Sequence, residues 1–223
     1  MIKINRRKTD KVKSAIASLQ RAKEQNGSYN TPEVNSALWE IFHGKCYICE
    51  NKQATSYQIE HLQSHQGNID LKYDWNNLFL SCTHCNNTKL NKYEPILDCT
   101  KDNVDELIAF RKRGYFGTDE ELEFEVLDLT QPILNTKRLL EEVYYGSTPQ
   151  KKMEAKILRK VLRKELSKFK EYVREYLEAD GEDKEDLKYL VKQQIADASP
   201  FAAFKRWLIR DNREYLRELA DFL

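Results

Sequence analysis

Glycine and proline are scarce in this chain, seven and five among 223 residues, while aromatics are plentiful. That combination excludes a disordered, charge-dominated polymer and favours a mostly helical fold, although a third of the residues are charged. No stretch approaches the ~20 consecutive apolar residues that a membrane helix needs. The opening residues Met1 to Lys8 carry charge with no apolar run behind it, which excludes a secretory signal. A cytoplasmic protein without membrane contact is therefore expected. Internal repeats and low-complexity linkers are also missing, so a compact core wrapped by helices is expected rather than beads on a string.

Net charge is only +1, unlike a simple basic DNA-binding module. The charges are unevenly spread, however. Residues 1–23 hold eight Lys or Arg against one acid, and residues 151–170 hold nine against two. Local basic surfaces on a neutral protein suit a polyanion, and they equally suit solvated helix faces.

Apolar spacing predicts a helix over 9–25, and a second from the cap Thr31-Pro32 that turns Val34, Leu38, Trp39 and Phe42 inward. Helical periodicity then disappears from Cys46 to Asn91. Two short strand-like runs lie there, Tyr57 to His61 and Leu78 to Leu80, separated by a polar loop, and helix returns near 83–90. Leu122 to Leu129 alternates like an edge strand or hairpin arm. Long helices are expected at about 147–179, 183–197 and 200–222. Three regions follow: N-terminal helices at 1–44, a core at 45–98, and a helical region at 99–223 for partner docking or nucleic-acid binding.

Cys46-Tyr47-Ile48-Cys49 and Cys82-Thr83-His84-Cys85 are two C-x-x-C pairs. Each pair can present two thiolates to one tetrahedral ion, and together they close a zinc shell with no open position. Such zinc is structural. A reducing compartment disfavours disulfides, and no βαβ unit is present for redox catalysis. Cys99 has no pair and reads as a small buried residue, and His84 reads as a solvated spacer.

Between and beside the pairs lie Ile59-Glu60-His61, then Asn77-Leu78, then Cys85-Asn86-Asn87-Thr88-Lys89. At these residues the sequence resembles the HNH nuclease family: a carboxylate-His pair, Asn-Leu, and C-x-x-C-[NH]-x-x-K, in order over about fifty residues. The resemblance implies an α+β fold, mainly α-helical with a small zinc-stabilised ββα-metal core. It implies His61 as the general base, Glu60 and Asn86 as ligands of a catalytic Mg²⁺ or Mn²⁺, and Asn77 as the residue pinning the loop beside His61. The spacing to Lys89 favours Asn86 over Asn87 as ligand. Lys89 is expected to contact a substrate phosphate. The run Leu62-Gln63-Ser64-His65 departs from the Pro and basic residue common after the carboxylate-His pair.

Leu38-Trp39-Glu40, Gly44-Lys45-Cys46, Ile96-Leu97-Asp98 and the run Ser199 to Arg206 resemble retron- and Septu-type HNH nuclease subunits. That likeness implies anti-phage defence and an ABC/SMC-type ATPase partner. No glycine-rich phosphate loop is present, so any energy coupling belongs to another subunit. The expected activity is endonucleolytic hydrolysis of DNA. The same chemistry on RNA, transfer RNA included, and a non-catalytic zinc module binding nucleic acid or a partner stand as alternatives.

Overall fold

The first nine residues run along the core, with Met1, Ile2 and Ile4 buried and the Ile4 amide donating to the Cys99 carbonyl at 2.8 Å. A computed structural model describes residues 1–114 and 121–223. Helix α1 (Asp10–Glu24) starts at Thr9, whose side chain accepts from the Val12 amide, and it buries Val12, Ala15, Leu19 and Ala22. Helix α2 (Pro32–Ile41) starts the same way at Thr31. Trp39 departs from the expectation of an inward residue. It is 51% exposed, because its ring lies over Gly44 and edge-on to Tyr57. A Cβ at Gly44 would sit 2.9 Å from the Trp39 ring, so only glycine fits there.

Strand β1 (Tyr57–His61) pairs antiparallel with β2 (Leu78–Cys82), in a register that sets Glu60 opposite Phe79 and His61 opposite Leu78. Helix α3 (Ile69–Tyr73) and the 3-10 turn Trp75–Asn77 fill the connection, and α4 (Thr83–Lys89) packs on both strands. This is the expected ββα unit. After α5 (Val104–Leu107) comes a second antiparallel hairpin of β3 (Ile108–Arg113) and β4 (Glu121–Val126). The alternation read from the sequence appears here: Leu122 and Phe124 are buried, while Glu121 and Glu125 face solvent.

Helix α6 (Gln131–Tyr145) was not anticipated from the sequence. It buries Ile133, Leu139, Leu140 and Val143, and Gly146 at φ +70° turns the chain into α7. Helix α7 (Pro149–Glu178) and α8 (Gly181–Ile195) lie close to expectation. The single helix expected over 200–222 is instead two, α9 (Ala202–Asp211) and α10 (Arg217–Ala220). Asn212 ends α9, its side-chain amide donating to the Leu208 carbonyl and drawing off an acceptor that a continuing helix would use.

Among the described residues the molecule is mainly α-helical with two small hairpins. One apolar cluster runs from Met1 through the ββα unit to Trp207; a second joins α7 to α8, α9 and α10 around Phe169 and Val191. No described helix is long and apolar enough to cross a membrane.

Candidate metal centre and active site

Cys46 and Cys49 lie in the turn before β1, Cys82 ends β2, and Cys85 sits one turn into α4. All four are buried and free, and their sulfurs lie within 4.8 Å of one another. A tetrahedron with Zn–S bonds near ~2.3 Å has edges of about 3.8 Å. The Cys49 and Cys82 sulfurs are 3.9 Å apart, so the cage has the right size. Burial pushes the Cys46, Cys49 and Cys85 thiols up, and Cys49 and Cys85 stay well above their ordinary value. At Cys46 the hydrogen bonds from the other three thiols outweigh burial and hold it well below. Four buried sulfurs brought this close fit a cation whose charge would let thiols such as Cys49 and Cys85 ionise.

His84 is not the solvated spacer expected from its place between these cysteines. Its Nε2–H donates to the Val143 carbonyl of α6 at 2.8 Å, and Nδ1 lies 2.7 Å from the Glu154 carboxylate of α7. The ring thus clamps the second cysteine pair to both helices. Nothing in the spacing of C-x-x-C announces those partners, which lie 59 and 70 residues away.

On the other side of the hairpin, the Nε2–H of His61 donates to the Lys72 carbonyl of α3 at 3.0 Å. A carbonyl can only accept, so Nε2 carries the proton and Nδ1 keeps a lone pair. Tyr29 packs edge-on at 4.7 Å and His65 at 4.9 Å between ring centroids. Burial lowers the His61 pKa below its usual 6.5; the bond to Lys72 opposes this, and the charges of His65 and Lys89 assist it. The ring is therefore neutral at physiological pH.

Asn77 sits at the end of the 3-10 turn. Its Oδ1 accepts from the Gln63 amide at 2.9 Å, and its Nδ2 donates to the Gln63 and Leu71 carbonyls at 2.9 and 3.0 Å. The Leu62 amide adds a backbone bond to the Asn77 carbonyl. One side chain therefore ties the strand that continues from His61 to α3, which carries the His61 partner. Asn77→Asp would turn a carboxylate oxygen toward two carbonyls that need a donor. The expected loss is about 1–3 kcal/mol of stability, read by urea denaturation. An unchanged midpoint would show that the loop holds without this amide.

Glu60 and Lys89 meet in the interior, each almost fully buried. Lys89 Nζ lies 2.8 Å from Glu60 Oε1 and 3.2 Å from Glu94 Oε1, and it donates to the His61 and Leu90 carbonyls at 3.0 and 3.1 Å. This corrects the expectation of a phosphate contact. Lys89 is in the last turn of a seven-residue helix, and its stem points back under β1, where carboxylates and carbonyls occupy its donors. It holds the site from behind. Burial pushes the Glu60 carboxyl up to about 7, against the opposing pull of Lys89.

Glu60 Oε2 is buried with no hydrogen-bond partner, as is the neighbouring Tyr47 hydroxyl. Gln58 lies two residues back on the same face of β1 and accepts from the Asn86 Nδ2. Asn86 thus keeps its carbonyl oxygen for another contact. Asn87 is more exposed and faces α7 rather than β1. An orphaned carboxylate oxygen and an amide oxygen beside one strand face suit a hard cation. Among the described residues, only the four cysteines form a group of three or more His, Cys, Asp or Glu placed to hold an ion. The hard-cation site would therefore draw its remaining ligands from water and phosphate.

The sequence singled out neither Lys72, Glu94 nor Arg6. The Arg6 guanidinium donates to the Trp75 and Leu78 carbonyls on either side of Asn77, and it lies 4.7 Å from the Phe79 ring centroid. Its only sequence signal is membership of the N-terminal basic run. Gln58 was missed as well, and its two-residue offset from Glu60 is the signal that could have found it.

The family model described as HNH endonuclease matches residues 46–92. The Septu protein PtuB of Bacillus mycoides (strain KBAB4) is 33% identical over 84 residues, 31% of this chain and 28% of that protein. The Septu protein PtuB of Bacillus thuringiensis is 33% identical over 86 residues, 35% of this chain and 34% of that protein. The chain thus covers about a third of the length of these curated relatives. No solved structure matches.

Proposed function

We propose that the chain is a metal-dependent endonuclease that hydrolyses phosphodiester bonds in DNA, with His61 as its general base. The observation that carries this reading is the His61 ring, neutral and held through Nε2 by the Lys72 carbonyl, with Nδ1 left to take a proton. In the reaction, Nδ1 accepts a proton from the attacking water as its oxygen bonds to phosphorus. The bond to the leaving oxygen breaks, and that oxygen takes a proton from solvent. Glu60, anchored by Lys89 through Oε1, and Asn86, steadied by Gln58, are the residues to hold Mg²⁺ or Mn²⁺. That ion would neutralise charge on the phosphoryl and leaving oxygens. Asn77 and Lys72 keep the base in place. Zinc on Cys46, Cys49, Cys82 and Cys85 would be structural.

The likeness to Septu protein PtuB supports a place in anti-phage defence, as the nuclease component beside an ABC/SMC-type ATPase. The small net charge agrees with weak substrate binding by the chain alone.

Plasmid DNA and total RNA incubated with Mg²⁺ or Mn²⁺, beside His61→Ala, test the reading, first with the chain alone and then with the ATPase. Ion-dependent nicking or linearisation that drops about 10²–10⁴-fold in the variant is expected. RNA loss with the same dependence would move the substrate and keep the mechanism. If neither substrate is cut even with the ATPase present, a zinc-built binding module remains. The pH profile gives a second check. A base works deprotonated, so at ion concentrations that saturate the Glu60 site the rate is lost as pH falls through the lowered His61 pKa and is flat around neutrality. A limb centred above 7 would assign the base elsewhere.

A further inference from the structure

Helix α7 is thirty residues long, and its inner side is fully accounted for by Leu158, Leu162, Leu166 and Phe169 in the core. Its outer side is unusual in composition. Lys152, Lys156, Lys160, Lys164 and Lys168 are all exposed and follow one another at four-residue intervals. At ~1.5 Å per residue the row is roughly 24 Å long, with an ammonium about every 6 Å. That length matches roughly seven phosphates of one strand of a duplex.

The acids that could neutralise the row are turned away from it. Residues 151–170 contain only Glu154 and Glu165. Glu154 reaches inward to His84 at 2.7 Å, and Glu165 lies 3.5 Å from the buried Lys205 amine. Met153 and Ile157 stand among the lysines with 69% and 66% of their surface exposed. The face also borders α4. A groove of about 330 Å³ is lined by Thr83 and Asn87 of α4 on one side and by Ile157 and Val161 of α7 on the other. Asn86, the residue before Asn87, turns to Gln58 of β1.

We propose that the outer face of α7 is a track for a nucleic-acid backbone, with Lys156, Lys160 and Lys164 contacting phosphates and leading the strand across Ile157 to α4. This deepens the nuclease reading and rests on it. Lysines on such a track position the substrate without reading its sequence, so discrimination among sequences is not expected from this face.

The test places Lys156→Gln, Lys160→Gln and Lys164→Gln together in the full chain carrying His61→Ala. Binding of a short mixed-sequence DNA duplex is followed by fluorescence anisotropy between about 0.05 and 0.2 M salt. Wild-type plasmid cleavage is measured in parallel. The slope of log affinity against log salt should become shallower by about 2 to 3, with affinity about tenfold or more weaker at the low-salt end. The matching Lys→Arg triple should keep the wild-type slope. All three positions are exposed, and an unchanged melting curve certifies the fold. An unchanged slope in the glutamine triple overturns the track; if the wild type still cuts plasmid, the nuclease reading survives that result. A reduced slope with no cutting under any condition keeps the track and removes the nuclease reading. Lost binding to polyglutamate with unchanged binding to DNA would also overturn the proposal, and would make the face one for an acidic protein.

Discussion

Lys89→Met should destabilise the protein by about 3–5 kcal/mol at pH 8, far more than its place at the end of a short helix suggests. The change removes the cation that lies 2.8 Å from Glu60 and 3.2 Å from Glu94, and it strips donors from the His61 and Leu90 carbonyls. Glu60 is left buried without its counter-charge. Its carboxyl already stands at about 7 through burial, with Lys89 pulling the other way, so loss of Lys89 raises it further. A carboxyl whose folded pKa exceeds its unfolded value of 4.5 contributes stability that is complete below 4.5 and is lost as pH rises through the folded pKa. The charge-linked part of the penalty should therefore be absent at pH 5 and grow as pH rises above about 7, while the lost carbonyl contacts cost the same at both. Adding Glu60→Gln should recover much of the loss, since a neutral amide needs no counter-ion. Urea denaturation of both variants at the two pH values decides it. A penalty that does not vary with pH would mean that Lys89 acts through packing and carbonyl contacts alone.

Zinc loss should have the largest effect. Apparent binding free energies of about 10–16 kcal/mol for structural zinc in small peptides exceed or match the whole stability of an ordinary domain, about 5–15 kcal/mol. The four sulfurs bring together the turn before β1, the end of β2 and the start of α4, so an ion there would hold three parts of the ββα unit at one point. Its removal frees the hairpin and leaves buried thiols facing one another. Cys85→Ser should purify with less than one zinc per chain and lose its cooperative melting transition. EDTA treatment of the wild type should open residues 46–92 to protease before the C-terminal helices, which have an apolar cluster of their own. Cooperative melting at the wild-type temperature after complete chelation would show that the cage is dispensable.

The legible parts of this molecule were those written in local chemistry. Thr31 marks its helix because a hydroxyl beside free amides does one thing. The cysteine pairs mark a cage because thiolates at that spacing share an ion. The positions of Glu60, His61, Asn77 and Asn86 around one ββα unit followed from motif order. Lys89 was misplaced because motif spacing says nothing of which way a long stem turns, and its partner Glu94 lies outside the motif. His84 was misread for the same reason, its partners being in α6 and α7. Helix α6 escaped because the alternation of Leu122 to Leu129 drew the reading toward strand just ahead of it, although Thr130-Gln131-Pro132 is a start signal. The break near Asn212 carries no glycine or proline, so an amphipathic pattern ran through it unmarked.

The two cysteine pairs bracket β1 and β2, and this arrangement sets an order of events during synthesis. Strand β1, with Glu60 and His61, is made before Cys82 and Cys85 exist to close the cage around it. The clamp from Glu154 to His84 and the lysine row of α7 follow some seventy residues later. All four cysteines and the whole ββα unit are thus in the chain before α7 exists to brace them.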